Sequence, residues 1–250
     1  NFSMRTVINI SLISDATYLT RFIKMLSVII PTLNEELALP ETLASLFRQS
    51  SGDQIIVVDG GSTDGTEKIC AQHPCITFIS SGKGRATQLN AGARIASGDI
   101  LLFLHADTLL PDNALNTIKR VINQERLEAG GFMHSFGNED WRLKFISFLD
   151  NRRCLKTRII YGDQAMFIKR ELFERLNGFP EVKIMEDIYF CEKLVQHTTP
   201  VILDSFVRTD PRKFIKMGIW RSLYRVAAIQ TRHELKLPVA NDHPFFAEIR

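Results

Sequence analysis

Leu26-Ser27-Val28-Ile29-Ile30 is a nearly continuous apolar run that passes straight into Pro31-Thr32-Leu33-Asn34-Glu35. A second run, Ile55-Ile56-Val57-Val58, ends in Asp59-Gly60-Gly61-Ser62-Thr63-Asp64-Gly65. Strands that are apolar on both faces belong in the interior of a parallel sheet, and polar groups delivered at their C-terminal ends mark the edge of an open α/β sheet where ligands bind. That edge is the predicted active site.

Working outward, strand and helix patterns alternate. The spacing predicts helices over Pro40–Arg48, Thr66–Ala71 and Arg85–Ile95, and strands at Ile76–Ile79 and Ile100–Leu104. Such alternation makes a parallel sheet with right-handed crossovers. Past a helix at Pro111–Ile122 the rhythm becomes mixed α+β. Strands are predicted at Gly130–Phe136, Gln164–Ile168 and Val201–Leu203, with helices at Arg170–Leu176 and from about Glu186, and a helical C-terminal region. The expected division is an extension over 1–24, a main domain over 25–207 with its ligand-binding half at about 25–110 and a second half at about 111–207, and a basic helical region over 208–250.

Composition narrows the function classes. With 250 residues, 45% hydrophobic and 24% charged, the chain has ordinary globular composition. A net charge of +3 gives no general case for nucleic-acid binding. Between Arg208 and Arg225, however, Arg212, Lys213, Lys216 and Arg221 face a single Asp210, a basic stretch suited to phosphate or anionic lipid. The cysteines Cys70, Cys75, Cys154 and Cys191 form no Cys-x-x-Cys pair, which fits a reducing cytoplasm better than a zinc site or a disulfide framework. No apolar run reaches the roughly 20 residues that span a bilayer. Peripheral contact at the inner membrane face is an accompanying expectation.

Candidate chemistry sits at the strand ends. Asp59 can accept hydrogen bonds from a base or ribose while Gly60-Gly61 admits close backbone approach; the same residues also read as a turn leading to a helix cap. Neither a Gly-x-Gly-x-x-Gly after a strand nor a Gly-Lys-Ser/Thr phosphate loop is present. His105-Ala106-Asp107 closes the fourth strand, where a carboxylate beside a diphosphate is a natural holder of magnesium or manganese. Lys83 and Arg85, at a helix start, suit an anionic phosphate or a solvated helix face. Glu186-Asp187 reads either as acidic capping of a helix or as the source of a general base.

In this order the motifs resemble the family two glycosyltransferases of the GT-A fold. The resemblance is carried by Val28 to Glu35, Val57 to Thr66, Gly84-Arg85, Asn90-Ala91-Gly92, Leu104 to Asp107, Asn177-Gly178-Phe179 and Glu186-Asp187. It implies a Rossmann-like, mostly parallel central sheet with helices on both faces and a mixed acceptor-side half. It also implies an inverting enzyme of hexosyltransferase type that moves a sugar from a nucleotide diphosphate sugar to an acceptor hydroxyl with a magnesium or manganese ion. Pro31, Thr32, Asn34, Glu35 and Asp59 would bind the nucleoside, Arg85 and His105 would lie against the donor, Asp107 would hold the metal, and Asp187 would be the base. His105 stands where the family commonly has the first acid of Asp-x-Asp, and Tyr189 where a further acid often follows the base. Tyr161 to Ala165 is similar to a compact bacterial subgroup. Two alternatives accompany this reading: a nucleotide-sugar-binding module without transfer activity, and a membrane-surface enzyme with a lipid acceptor.

Overall fold

The structure is a computed structural model that describes residues 25–124 and 127–235. The predicted extension over 1–24 and the last part of the basic C-terminal region lie outside the described residues. Strands β1 (Leu26–Thr32), β2 (Gln54–Asp59), β3 (Ile76–Ser80) and β4 (Ile100–Phe103) alternate with helices α1 (Leu39–Gln49), α2 (Thr66–Ala71) and α3 (Arg85–Ile95). There follow β5 (Thr108–Leu109), α4 (Ala114–Gln124), β6 (Ala129–Phe136), α5 (Trp141–Thr157), β7 (Phe167–Lys169), α6 (Arg170–Arg175), α7 (Glu186–Leu194), β8 (Val201–Thr209), α8 (Arg212–Met217) and α9 (Ile219–Glu234).

The strands form one sheet in the order β3-β2-β1-β4-β7-β6-β8-β5. β3, β2, β1 and β4 run parallel, whereas β7 is antiparallel to both β4 and β6, and β5 to β8. Chain order reverses between β1 and β4. Their C-terminal ends therefore open a crevice at the switch point, where open α/β sheets bind ligands.

The alternation of side chains along β1 builds the two layers. Val28 and Ile30 pack with Leu39, Leu43 and Leu46 of α1 and Leu115 and Ile118 of α4; Ile29 packs on the other face with Leu89 of α3, Leu172 of α6 and Phe190 of α7. α3 lies so close to the sheet that a Cβ on Gly92 would stand 2.4 Å from Ile29 Cγ2. Only glycine fits that crossing.

Several predicted elements shift. The strand expected over Gln164–Ile168 starts later, because a 3-10 turn occupies Gly162–Gln164. β8 continues to Thr209, so the boundary expected after residue 207 falls inside a strand paired to β6. The two-residue β5 and the 17-residue α5 were not expected at all. Among the described residues no helix is long and apolar enough to cross a membrane.

Candidate active site

The loops after β1 and β2 are stitched into one platform. Asn34 adopts the left-handed region at φ 57°, which lets its Oδ1 accept from Thr63 N at 2.8 Å while its own N–H donates to Ser62 Oγ at 2.8 Å. Asp59 is turned into its own loop: its carboxylate accepts from the Gly61 and Ser62 amides at 2.8 and 2.9 Å and from the Ser62 and Thr32 hydroxyls. A carboxylate has about four lone-pair positions, and these contacts use them. Beneath the platform the buried Gln88 of α3 donates from Nε2 to Thr32 O at 2.8 Å and Val58 O at 2.9 Å, pinning the ends of both strands.

Above the switch point lies an open cleft of about 500 Å³ lined by Pro31, Thr32, Glu35, Arg85, His105 and Asp107, among others. One wall comes from the far end of the chain. Lys213 of α8 places Nζ 3.2 Å from Glu35 Oε1 and 3.0 Å from Asp107 Oδ2, and Arg212 pairs with the same glutamate. Two carboxylates thus converge on a single cation position. Burial is the largest influence on the Asp107 carboxyl and acts to raise it, but Lys213 and Arg212 overcome this and hold it below the usual carboxylate range.

A second, smaller pocket of about 310 Å³ shares Arg85 and His105 with the cleft and holds Tyr161, Gly162, Glu186 and Asp187. Asp187, in the first turn of α7, accepts from the Gly162 amide at 2.7 Å through Oδ2 and from the Ile188 amide at 2.8 Å through Oδ1. Gly162 is wedged there: a Cβ would lie 2.5 Å from His105 Nε2 and 3.5 Å from Asp187 Oδ2. Arg85 reaches Glu186 Oε1 at 3.4 Å, with Asp187 and Asp107 adding negative charge around it. Burial, and after it the Arg85 guanidinium, push the His105 imidazole down to about 3, so it is neutral near pH 7. The loop before α7 is fixed by Asn90 of α3, which donates to Phe179 O at 2.8 Å and accepts from Phe179 N at 3.0 Å.

Of the residues singled out in the sequence, Pro31, Thr32, Glu35, Arg85, His105 and Asp107 meet in the cleft, and Arg85, His105 and Asp187 in the adjoining pocket. Asn34 and Asp59 line neither; they shape the loops that do. The sequence reading missed the Gly162 amide and the clamp formed by Gln88. It placed Lys213 in a basic stretch suited to phosphate or anionic lipid, and the structure turns that side chain into the cleft. Its 106-residue separation from Asp107 leaves no local pattern that would reveal the pair.

The chain matches the family model described as Glycosyl transferase family 2 over residues 27–176, more than half of its length. A PGL/p-HBAD biosynthesis glycosyltransferase of Mycobacterium bovis is 35% identical over 166 residues, 62% of this chain and 63% of that protein, so the chain spans less than two thirds of that relative's length. Among solved structures, the mannosyltransferase PcManGT from Pyrobaculum calidifontis in complex with GDP-Man and Mn2+ is similar at a TM-score of 0.63 and 24% identity, covering 90% of this chain and 68% of that one. Glucosyl-3-phosphoglycerate synthase from Mycobacterium tuberculosis, in complex with Mn2+, UDP-Glc and phosphoglyceric acid, is similar at a TM-score of 0.62 and 17% identity, covering 87% and 81%. These likenesses establish the fold as the GT-A arrangement expected from the sequence. With motifs, sheet order and family match in agreement, the chain belongs to glycosyl transferase family 2.

Proposed function

We propose that the chain transfers a sugar from a nucleoside diphosphate sugar to an acceptor hydroxyl with inversion, using Asp187 as the base. The observation that carries this reading is the shared wall: the cleft with Glu35 and Asp107 and the pocket with Asp187 meet at Arg85 and His105. A donor whose diphosphate lies in the cleft would extend its sugar over that wall toward Asp187. The two similar solved structures, which hold GDP-Man with Mn2+ and UDP-Glc with Mn2+, support a nucleotide-sugar donor.

The acceptor oxygen would attack the anomeric carbon from the Asp187 side as the bond to the diphosphate oxygen breaks on the opposite side, its electron pair leaving with the nucleoside diphosphate. Attack opposite the leaving group inverts the configuration. Asp187 takes the hydroxyl proton, and the Gly162 amide holds its carboxylate in place. Arg85 and Lys213 stand on the cleft side, where they offset the charge that grows on the leaving diphosphate. Neutral His105 adds no charge and serves as a packing surface between the two spaces.

The carboxylates fit a divalent cation. Glu35 and Asp107 already hold a positive charge, the Lys213 ammonium, between them. Among the described residues no three His, Cys, Asp or Glu side chains gather into a metal cluster. This donor set suits magnesium or manganese, which bind through one or two carboxylates and are completed by phosphate and water. Asp107 would hold the ion with Glu35 beside it, and the bound ion would supply charge stabilisation to the diphosphate.

Asp187→Asn tests the reading. Calorimetric binding of the nucleotide sugar should stay within about twofold of wild type, while transfer falls by about 10²- to 10⁴-fold, the range for losing a general base. Full transfer by the Asn variant removes Asp187 from the chemistry.

A further inference from the structure

α5 is apolar on two sides. Leu143, Ile146 and Cys154 face the core, and Ile219 and partly buried Leu223 of α9 join Leu143 and Ile146 in one cluster. The opposite stripe, Trp141, Phe145, Phe148 and Leu155 at helical spacing, is exposed, with Trp141 at 67% and Phe148 at 54%. α9 extends it: Trp220 stacks edge-on against Trp141 with ring centroids 5.9 Å apart, and Tyr224, one turn on, is 75% exposed. Large exposed apolar patches on a folded chain mark contact surfaces.

The charges on this surface indicate what it contacts. Arg152 and Lys156 lie in the same stripe of α5, and Arg221 follows Trp220; all three are exposed and make no ion pair among the described residues. Arg152 instead sits over the Phe148 ring at 5.7 Å. The neighbouring carboxylates Glu139, Asp140 and Asp150 are each already held, by Lys144, Arg142 and Arg153. A second copy docked face to face about a twofold axis would bring this cationic rim against itself, which opposes pairing. Tryptophan, tyrosine and phenylalanine beside unpaired arginine and lysine match a headgroup boundary, where rings enter the interface and cations meet anionic headgroups.

We propose that the outer face of α5, together with Trp220 and Tyr224 of α9, docks the protein on an anionic phospholipid surface. This surface is distinct from the cleft, and the inference does not depend on the transfer chemistry. It replaces the sequence-based anchor that included Lys213, since that side chain is committed to Glu35 and Asp107.

The chain has two tryptophans, and both lie on the proposed face. Intrinsic tryptophan emission therefore reports its environment directly. The full chain would be mixed with vesicles of phosphatidylcholine alone and of phosphatidylcholine with phosphatidylglycerol, and followed by flotation and emission. The expected result is co-flotation and a blue shift with the anionic vesicles, weakened by salt and about tenfold or more stronger than with phosphatidylcholine alone. Phe148→Ser combined with Tyr224→Ser, which keeps both reporters, should lose flotation while its melting temperature and nucleotide-sugar binding match wild type. Absence of binding to anionic vesicles, or binding unchanged in that variant, would overturn the proposal. So would a lipid-free dimer in light scattering whose tryptophan emission is already blue-shifted, because a second copy would then cover the face.

Discussion

Lys213 connects the last third of the chain to the chemistry at its start. Its ammonium neutralises two buried carboxylates, and stripping one partner from such a group is costly unless another cation takes its place. Lys213→Met should therefore bind Mn2+ more tightly than wild type without donor, by electron paramagnetic resonance titration, and bind nucleotide sugar more weakly. Equal Mn2+ affinity in the two proteins would show that Lys213 and the metal do not compete. His105 sets a pH dependence of stability. Its folded pKa of about 3 lies below the ordinary 6.5, so between those values the unfolded chain takes up a proton that the folded chain does not. Its contribution to stability is complete above pH 6.5 and declines as pH falls toward 3. The lowered Asp107 carboxyl adds a separate loss only in more acidic solution, as pH falls through its depressed folded value. Urea unfolding at pH 7 and pH 5 should show His105→Gln with a smaller acid loss than wild type; parallel losses would mean the imidazole titrates normally.

At the scale of elements, the approach of α3 to β1 positions Gln88, Arg85 and Asn90 together. Gly92→Ala puts a methyl 2.4 Å from Ile29 Cγ2 and 3.0 Å from Val58 Cγ2. Overpacking of this kind costs about 1–3 kcal/mol, which for a chain of this size lowers the melting temperature by about 2–4 °C per kcal/mol. A melting temperature equal to wild type in calorimetry would show that the crossing has slack. β1 to β4 and the helices between them were legible in the sequence because buried parallel strands read as apolar runs closed by turn residues. α5 was not, since apolar residues on its core and solvent sides together leave no single helical face to detect. β5 is two residues long, too short for any period. Strand-end carboxylates were legible as candidates, but the hydrogen bonds that tie Asp59 into its own loop were not, because a free acceptor and a self-satisfied one share the same sequence.

Across the whole molecule, one sheet carries both spaces. The parallel half ends in the cleft at the β1/β4 switch point, while β7 and the elements around it bring Gly162 and Asp187 to the other side of Arg85 and His105. α8 then returns to close the cleft with Lys213. In this arrangement residues from distant parts of the chain meet only in the folded state, so a ligand that bridges them must stabilise the fold as a whole. The most direct measurement is thermal unfolding of wild type and Asp107→Asn with uridine and guanosine diphosphate sugars, with and without Mn2+. At a donor concentration a hundred times Kd, binding contributes about 2.7 kcal/mol, a rise on the order of 5 to 10 °C. Wild type should show that rise with one of the donors and Mn2+ together, and Asp107→Asn should lose most of it; no rise with either donor, or an equal rise in the variant, would contradict the account.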